Sequence, residues 1–229
     1  MKIFAKIRHF QLIISTAFYV SIYIIIASIN KKYVIRTRKW VSGRILRANG
    51  ITLKIKGEPI DMDARLFIAN HQNMLDIMIL ELLIPLDVCW VAKRELFKIP
   101  FYGRAVKLPK MIALDRANKL GLKMLLRTVK DRVSKNRPVV IFPEGTRSKE
   151  DTFKPFKSGG EFIANQLQLT VQPVVISNTK KLLRTQKQEF YPNEITVEVM
   201  KSFKTTDVEE HWIQNQRSMM QKVYNDISK

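Results

Sequence analysis

An imidazole and a carboxylate stand five residues apart in Asn70-His71-Gln72-Asn73-Met74-Leu75-Asp76. Residues of these two types can make a general base and its orienting partner, the carboxylate fixing the tautomer and raising the basicity of the free ring nitrogen. The stretch follows the apolar run Leu66-Phe67-Ile68-Ala69, which predicts a buried strand. It precedes Ile77-Met78-Ile79-Leu80, which predicts a helix. On one continuous helix the two side chains would lie about 140° apart and could not easily meet. With His71 in the turn before the helix and Asp76 in its first turns, the ring can fold back onto the carboxylate. A plain helix start is the competing explanation, with Asn70 or Asn73 as cap and Asp76 at the positive end of the helix dipole.

Three more stretches carry usable chemistry. Phe142-Pro143-Glu144-Gly145-Thr146-Arg147-Ser148 follows the apolar Val139-Val140-Ile141. Gly145 permits a tight turn or close approach of a ligand. Arg147 offers a planar fork for phosphate or carboxylate, and Glu144 can accept from a hydroxyl or hold an arginine. Leu114-Asp115-Arg116 ends another buried run in a charged pair, and Phe156-Lys157-Ser158-Gly159-Gly160 is a glycine-rich turn with a lysine. Each alone is equally a solvated turn. Together, four strand ends deliver polar or cationic groups, as a site for an anionic substrate requires.

The elements that must position them read as alternating strands and helices. Strands are predicted at Ile51–Lys56, Arg65–Asn70, Val88–Ala92, Met111–Leu114, Val139–Phe142 and Ile195–Met200. Thr170–Ser177 is a further strand, placed at a sheet edge or its end because Pro173 interrupts it. Helices are predicted over residues 31–48, 74–84, 118–136, 162–167 and 207–227, with a broken helix or loop at Glu95–Ala105. The alternation argues for an α/β layered domain, and ligands in such folds bind outside the carboxyl ends of the strands.

The chain has 229 residues, 40 of them basic and 20 acidic, for a formal charge of +20. So basic a protein is drawn to polyanions: nucleic acid, an anionic membrane surface, or a phosphorylated or acidic-carrier substrate. Residues 1–57 contain no Asp or Glu, and within them Phe10–Ile29 is an uncharged run of membrane-spanning length flanked by lysines and arginines. A nucleic-acid binder has no use for such a segment, so the expected partner is membrane lipid and not nucleic acid. No A-x-A pattern follows the run, which argues for an anchor over a cleaved signal. Basic flanks on both sides suit a cytoplasmic C-terminal side, or a helix hairpin resting on anionic headgroups. The expected organisation is an anchoring helical segment over 1–48 and a catalytic domain over 49–229. The single cysteine, Cys89, sits in an apolar run and reads as an inert core thiol.

In order and spacing, His71–Asp76, Leu114–Arg116, Phe142–Ser148 and Val171–Ile176 resemble the four blocks of the glycerolipid acyltransferases, most nearly the bacterial 1-acyl-sn-glycerol-3-phosphate acyltransferases. The resemblance covers residues 31 to about 200. It departs at the second block, which in the family opens with a glycine that falls near Lys110 here. The resemblance implies a layered mixed sheet flanked by helices, like that of glycerol-3-phosphate acyltransferase, with an N-terminal membrane-associated segment. It implies acyl transfer from a thioester, on acyl carrier protein or coenzyme A, to the sn-2 hydroxyl of lysophosphatidic acid. His71 would be the base and Asp76 its orienting partner. Arg116, Arg147, Lys110 and Lys157 would hold the acceptor phosphate, in a pocket shaped by Glu144, Gly145 and Thr146. The thioester is already activated, so no metal, no cofactor and no enzyme nucleophile is called for. The oxyanion would meet backbone N–H groups near His71 or in the Gly145 turn. The expected location is the cytoplasmic face of the inner membrane. Other acceptors keep the chemistry: another lysolipid, or glycerol 3-phosphate. A hydrolase using His71 to activate water, and a non-catalytic basic protein binding anionic lipid, are the readings of other classes.

Overall fold

The computed structural model describes residues 2–115, 121–148 and 150–228. The acid-free start of the chain is a helical hairpin, α1 (Lys2–Ile29) and α2 (Val34–Ala48), joined through a 3-10 turn at Lys31–Tyr33. Asn30 ends α1: its backbone is extended and its side-chain oxygen accepts from Lys32 N–H at 2.9 Å. α1 runs past the uncharged stretch and takes Lys2, Lys6 and Arg8 into the helix. It buries Ala5, Leu12, Tyr23, Ile24 and Ala27 while Ile7, Phe10, Ile14, Phe18 and Ile25 remain exposed. One apolar helix thus has a protein-facing side and an unpartnered side.

The remaining elements are β1 (Thr52–Gly57), β2 (Leu66–Ala69), α3 (Leu75–Leu83), β3 (Cys89–Lys93), α4 (Tyr102–Lys107), β4 (Ile112–Leu114), α5 (Gly121–Ser134), β5 (Val139–Ile141), α6 (Gly159–Gln166), β6 (Thr170–Ile176), the single turn α7 (Thr179–Leu182), a small hairpin of β7 (Leu183–Arg184) and β8 (Glu189–Phe190), β9 (Glu194–Val199), β10 (Phe203–Lys204) and α8 (Trp212–Ile227). The large sheet has the order β1-β9-β6-β2-β5-β3-β4, with β10 beside β6. The pairs β6–β9 and β6–β10 are antiparallel and the others parallel. This is the expected mixed α/β layered architecture.

The two-residue period of the strands divides the core. Phe67 and Ala69 of β2, Trp90 of β3, Val140 of β5 and Val174 and Ile176 of β6 face one side, with α1, α2 and α3. Leu66, Ile68, Cys89, Val139, Val171 and Val175 face the other, with α5, α6 and α8. Central strands covered on both faces need unbroken apolar runs, which is what β2 and β5 have. The N-terminal helices are not set apart from the body, because Leu12, Val41, Ile45 and Leu46 share one core with Phe67, Ile79 and Val174. α2 is also fastened electrostatically. Buried Arg38 donates to Glu81 of α3 at 2.6 Å and to Asp87 at 3.2 Å, and Lys39 donates to the Glu81 carbonyl at 2.9 Å and to that of Ile84. Trp90 Nε1 donates to the second Glu81 oxygen at 2.9 Å, so both oxygens of the buried carboxylate are hydrogen-bonded.

Two expectations are corrected. The strand with Pro173 is not at an edge: β6 lies inside the sheet between β2 and β9. The Pro173 carbonyl accepts from Met200 N–H at 3.0 Å, and the proline nitrogen faces that same side. There β9 has just ended at Val199 and β10 has yet to begin at Phe203, so no partner asks for the missing N–H. The last helix begins at Trp212, not 207, and leaves Val208 exposed in the preceding turns. The predicted start of the fifth helix at 118 lies outside the described residues.

Candidate functional site

The parallel strands β2, β3, β4, β5 and β6 all deliver their carboxyl ends to one edge of the sheet, and the motifs meet there. β2 ends in Asn70, whose side chain takes the place of a further strand pair: Nδ2 donates to Ile176 O at 2.9 Å and Oδ1 accepts from Ile176 N–H at 2.8 Å. With the β2–β6 seam locked, the chain turns at His71 and enters α3 one residue before Asp76.

His71 Nδ1 and Asp76 Oδ2 are 2.8 Å apart. The same oxygen accepts from the amides of Gln72 at 2.6 Å and Asn73 at 2.8 Å. One carboxylate thus both holds the turn at the helix start and meets the His71 ring, so the two sequence readings do not exclude each other. An ionised carboxylate only accepts, so the proton of the shared bond sits on Nδ1 and the lone pair of the neutral ring on Nε2. The ring stacks on Phe142 at 4.0 Å and 9°, and Phe142 on Trp90 at 5.6 Å. His71's backbone is held as well. Its N–H donates to Glu144 Oε1 at 3.0 Å, and its carbonyl accepts from Ser148 N–H at 2.7 Å.

That assigns Glu144 a different task from pocket wall. Its second oxygen accepts from Lys154 N–H at 3.0 Å, so the buried carboxylate ties its own loop to the His71 and Lys154 amides and, among the described residues, holds no arginine. Burial pushes its carboxyl up from the ordinary glutamate value, against the pull of the His71 and Lys154 amides. Gly145 follows with φ +69°, and a Cβ there would come within 2.9 Å of Lys157 Cε. The left-handed turn is what favours glycine here; the lysine end could move aside for a Cβ.

His71 opens into a cavity of about 1170 Å³. Its interior is apolar, with Val20 of α1, Val41 and Ile45 of α2, Met78 of α3, and Trp90 and Phe142 on its wall; its rim carries Thr146, Arg147 and Lys157. Arg147 and Lys157 are exposed and, among the described residues, neither has an ion-pair partner. Beyond the rim, Pro100-Phe101-Tyr102 makes a γ-turn, with Phe101 at φ +65° and Tyr102 N–H donating to Pro100 O at 2.7 Å. That is strained backbone for a bulky residue.

Of the nine residues singled out from sequence, His71, Asp76, Glu144, Gly145, Thr146, Arg147 and Lys157 come together. Lys110 does not. It precedes β4, at the amino end of the strand and the far edge of the sheet, where its carbonyl accepts from Arg132 at 3.1 Å. It holds φ +53°, so the left-handed backbone that suits glycine is kept here by a lysine. Arg116 lies outside the described residues. The amides of His71, Gln72 and Asn73, candidate oxyanion donors, are already committed to carboxylates. Cys89 is buried among apolar side chains, and burial pushes its thiol up to about 11, so it is no nucleophile.

Sequence reasoning missed Thr179, whose hydroxyl donates to Asp76 Oδ1 at 2.6 Å. It also missed Gln72, whose side chain donates to Tyr224 OH at 2.8 Å. Thr179 lies three residues past the fourth block, a position without a periodic or compositional signal.

A family model described as Acyltransferase matches residues 53–177. The chain is 40% identical over 176 residues to the 1-acyl-sn-glycerol-3-phosphate acyltransferase of Helicobacter pylori, covering 76% of this chain and 74% of that protein. It is 32% identical over 188 residues to the protein of the same name from Cocos nucifera, covering 81% of this chain and 61% of the relative. The crystal structure of the 1-acyl-sn-glycerophosphate (LPA) acyltransferase of Thermotoga maritima superposes with a TM-score of 0.76 at 22% identity, covering 97% of this chain and 95% of that one.

Proposed function

This chain belongs to the acyltransferase family as an O-acyltransferase, and on that premise we propose that it moves an acyl group from a thioester to the sn-2 hydroxyl of 1-acyl-sn-glycerol 3-phosphate, forming phosphatidic acid. The observation that carries the chemical step is the 2.8 Å contact between His71 Nδ1 and Asp76. It leaves Nε2, which has no protein partner among the described residues, as the base at the inner end of an apolar cavity. Nε2 takes the proton of the acceptor hydroxyl as its oxygen attacks the thioester carbonyl. Asp76 stabilises the imidazolium that forms. The carbon–sulfur bond then breaks, and the departing sulfur receives the proton from Nε2. General base catalysis of this kind contributes roughly 10²- to 10⁴-fold in rate.

The cavity's apolar interior suits an acyl chain, and the cations at its rim suit a phosphate. Arg147 and Lys157 are the residues for that phosphate in the described part of the site. With the helix-start amides taken, the oxyanion donors fall to the 145–147 turn, where the Thr146 and Arg147 amides make no hydrogen bond among the described residues. The donor is a soluble thioester, on acyl carrier protein or coenzyme A, and the basic surface attracts either through its negative charge. The acceptor is a membrane lipid. α1 is long and apolar enough to cross a membrane. Yet it packs along its length on α2, α4 and β8 from Ala5 to Ala27. That packing favours α1 lying in the membrane surface, apolar outer face down, with the body on the cytoplasmic side.

The test is acyl transfer in liposomes with labelled acyl thioester and, in separate reactions, lysophosphatidate, glycerol 3-phosphate or a phosphate-free lysolipid. Phosphatidate made by the wild type and lost in His71→Ala supports the reaction and the base together. Product with another acceptor alone overturns the substrate. Thioester hydrolysis without acceptor points to the hydrolase, and undiminished transfer by His71→Ala removes His71 from the chemistry.

A further inference from the structure

Asp76 is fully buried, and its two oxygens are served unequally. Oδ2 accepts from three donors of its own turn, His71 Nδ1 and the amides of Gln72 and Asn73. Among the described residues Oδ1 has one partner, the Thr179 hydroxyl at 2.6 Å, which comes from the far side of the β2–β6 seam, 103 residues along the chain. Thr179 is itself fully buried at the start of the single turn α7, directly after β6. A hydroxyl has one proton to give. Gln72 Oε1 also lies within reach of Thr179, at 3.2 Å, but the shorter contact goes to the charged acceptor. Lys180 N–H serves Gln72 Oε1 at 3.3 Å, and Gln72 Nε2 donates to Tyr224 OH. Gln72 is therefore anchored from α8 without the Thr179 proton.

The carboxylate turns about Cβ–Cγ, and that rotation moves both oxygens together. The Thr179 bond to Oδ1 therefore resists, from the opposite side and from a distant element, the rotation that would carry Oδ2 away from His71 Nδ1. We propose that Thr179 is a positioning residue for acyl transfer: by binding Asp76 Oδ1 from the end of β6 it fixes the carboxylate plane, and through it the His71 ring. The proposal rests on His71 and Asp76 acting as the base pair described above. Thr179 touches no reacting atom.

The experiment compares wild type with Thr179→Ser, Thr179→Cys and Thr179→Val in steady-state transfer, with melting temperatures alongside. Removal of a partner that orients a catalytic group costs about 10- to 100-fold. The expected order of kcat is therefore wild type near Ser, then Cys, then Val about 10- to 100-fold down, with KM for donor and acceptor little changed. Thr205→Val is the control for a lost buried hydroxyl, since Thr205 donates to Ala164 O and does not itself line the cavity; it should leave kcat as it is. In an Asp76→Asn background, Thr179→Val should cost little more, because it acts through that carboxylate. Should Val not fold, the Ser and Cys variants are read in the same way. Equal kcat in Val and wild type overturns the proposal, as does a full loss added on top of Asp76→Asn, or a Ser variant as slow as Val. If Asp76→Asn and His71→Ala both keep wild-type kcat, it is the base assignment that has failed.

Discussion

The inner end of the site and its rim are built in opposite ways. At the inner end, Asp76 is fully buried, every hydrogen bond comes from a fixed donor, and the His71 ring is pinned between Asp76 and Phe142. At the rim, Arg147 and Lys157 are exposed cations on long side chains, over a backbone held by Lys157 N–H to Pro143 O at 2.9 Å and Ser148 N–H to His71 O at 2.7 Å. The chemical step needs a geometry paid for during folding, whereas a lipid headgroup arriving from a membrane needs reach and charge. Preorganisation belongs where charge develops in the transition state. On the proposed reaction, adaptable cations belong where a mobile phosphate would be captured.

The contrast can be broken most decisively by exchanging the kinetic signatures of the two ends. Inner-end substitutions should lower kcat, as set out for His71 and Thr179. Rim substitutions should raise the acceptor KM and leave kcat largely intact. A hydrogen bond to a charged group is worth about 1.5–3 kcal/mol, so Arg147→Ala is expected to raise the KM for lysophosphatidate roughly 10- to 100-fold, and Lys157→Ala somewhat less. The effect should shrink with a phosphate-free acceptor. Equal effects on both acceptors would place these cations elsewhere in the reaction.

Glu144 lies under both ends and sharpens the distinction through stability. In Glu144→Gln the side-chain NH2 faces one of the two amides the carboxylate now serves, at an expected cost of about 1–3 kcal/mol to folding. Burial raises the carboxyl in the folded protein, so the folded state holds this proton more tightly than the unfolded chain does. The contribution is complete below the ordinary glutamate range and is lost as pH rises through the folded value. The stability gap between wild type and Glu144→Gln should therefore narrow as pH rises from the glutamate range upward, measured by denaturant unfolding at each pH. A gap that widens would contradict the sign.

The smallest effect is expected at Cys89, with its thiol pushed up to about 11 inside the core. Cys89→Ala should retain acyl transfer within a few-fold, and thiol reagents should label the native protein only as fast as it opens. Rapid native labelling, or loss of activity in a folded variant, would show a role for the thiol at the site.

Much of this was legible from local pattern. Strand and helix periods located β2, β5, β9 and α3 to within a residue or two, because apolar spacing reports which side of an element is covered. Polar residues at the ends of such strands marked the edge of the sheet at which His71, Asp76, Gly145 and Arg147 come together. Lys110 and Pro173 were misjudged for one reason. Their surroundings depend on which strand lies alongside and in which direction, and that is a fact of sheet order. The place of Glu144 in the pocket wall came from the family resemblance alone. Nothing nearby in the chain announces that its partners are the amides of His71 and Lys154.

The sequence by itself determined the element types, the net charge of +20, and the presence of a residue pair that can act as base. Those are properties of short stretches and of composition, set by backbone geometry and side-chain chemistry. Only the tertiary structure decided what holds the pair still: β2 beside β6, which brings Thr179 to Asp76 across 103 residues of chain, and the β5 loop folded over His71, which turns Glu144 into a clamp. Hydrogen bonds reach about 3 Å, and chain segments distant in sequence come that close only after the core has chosen which strands are neighbours.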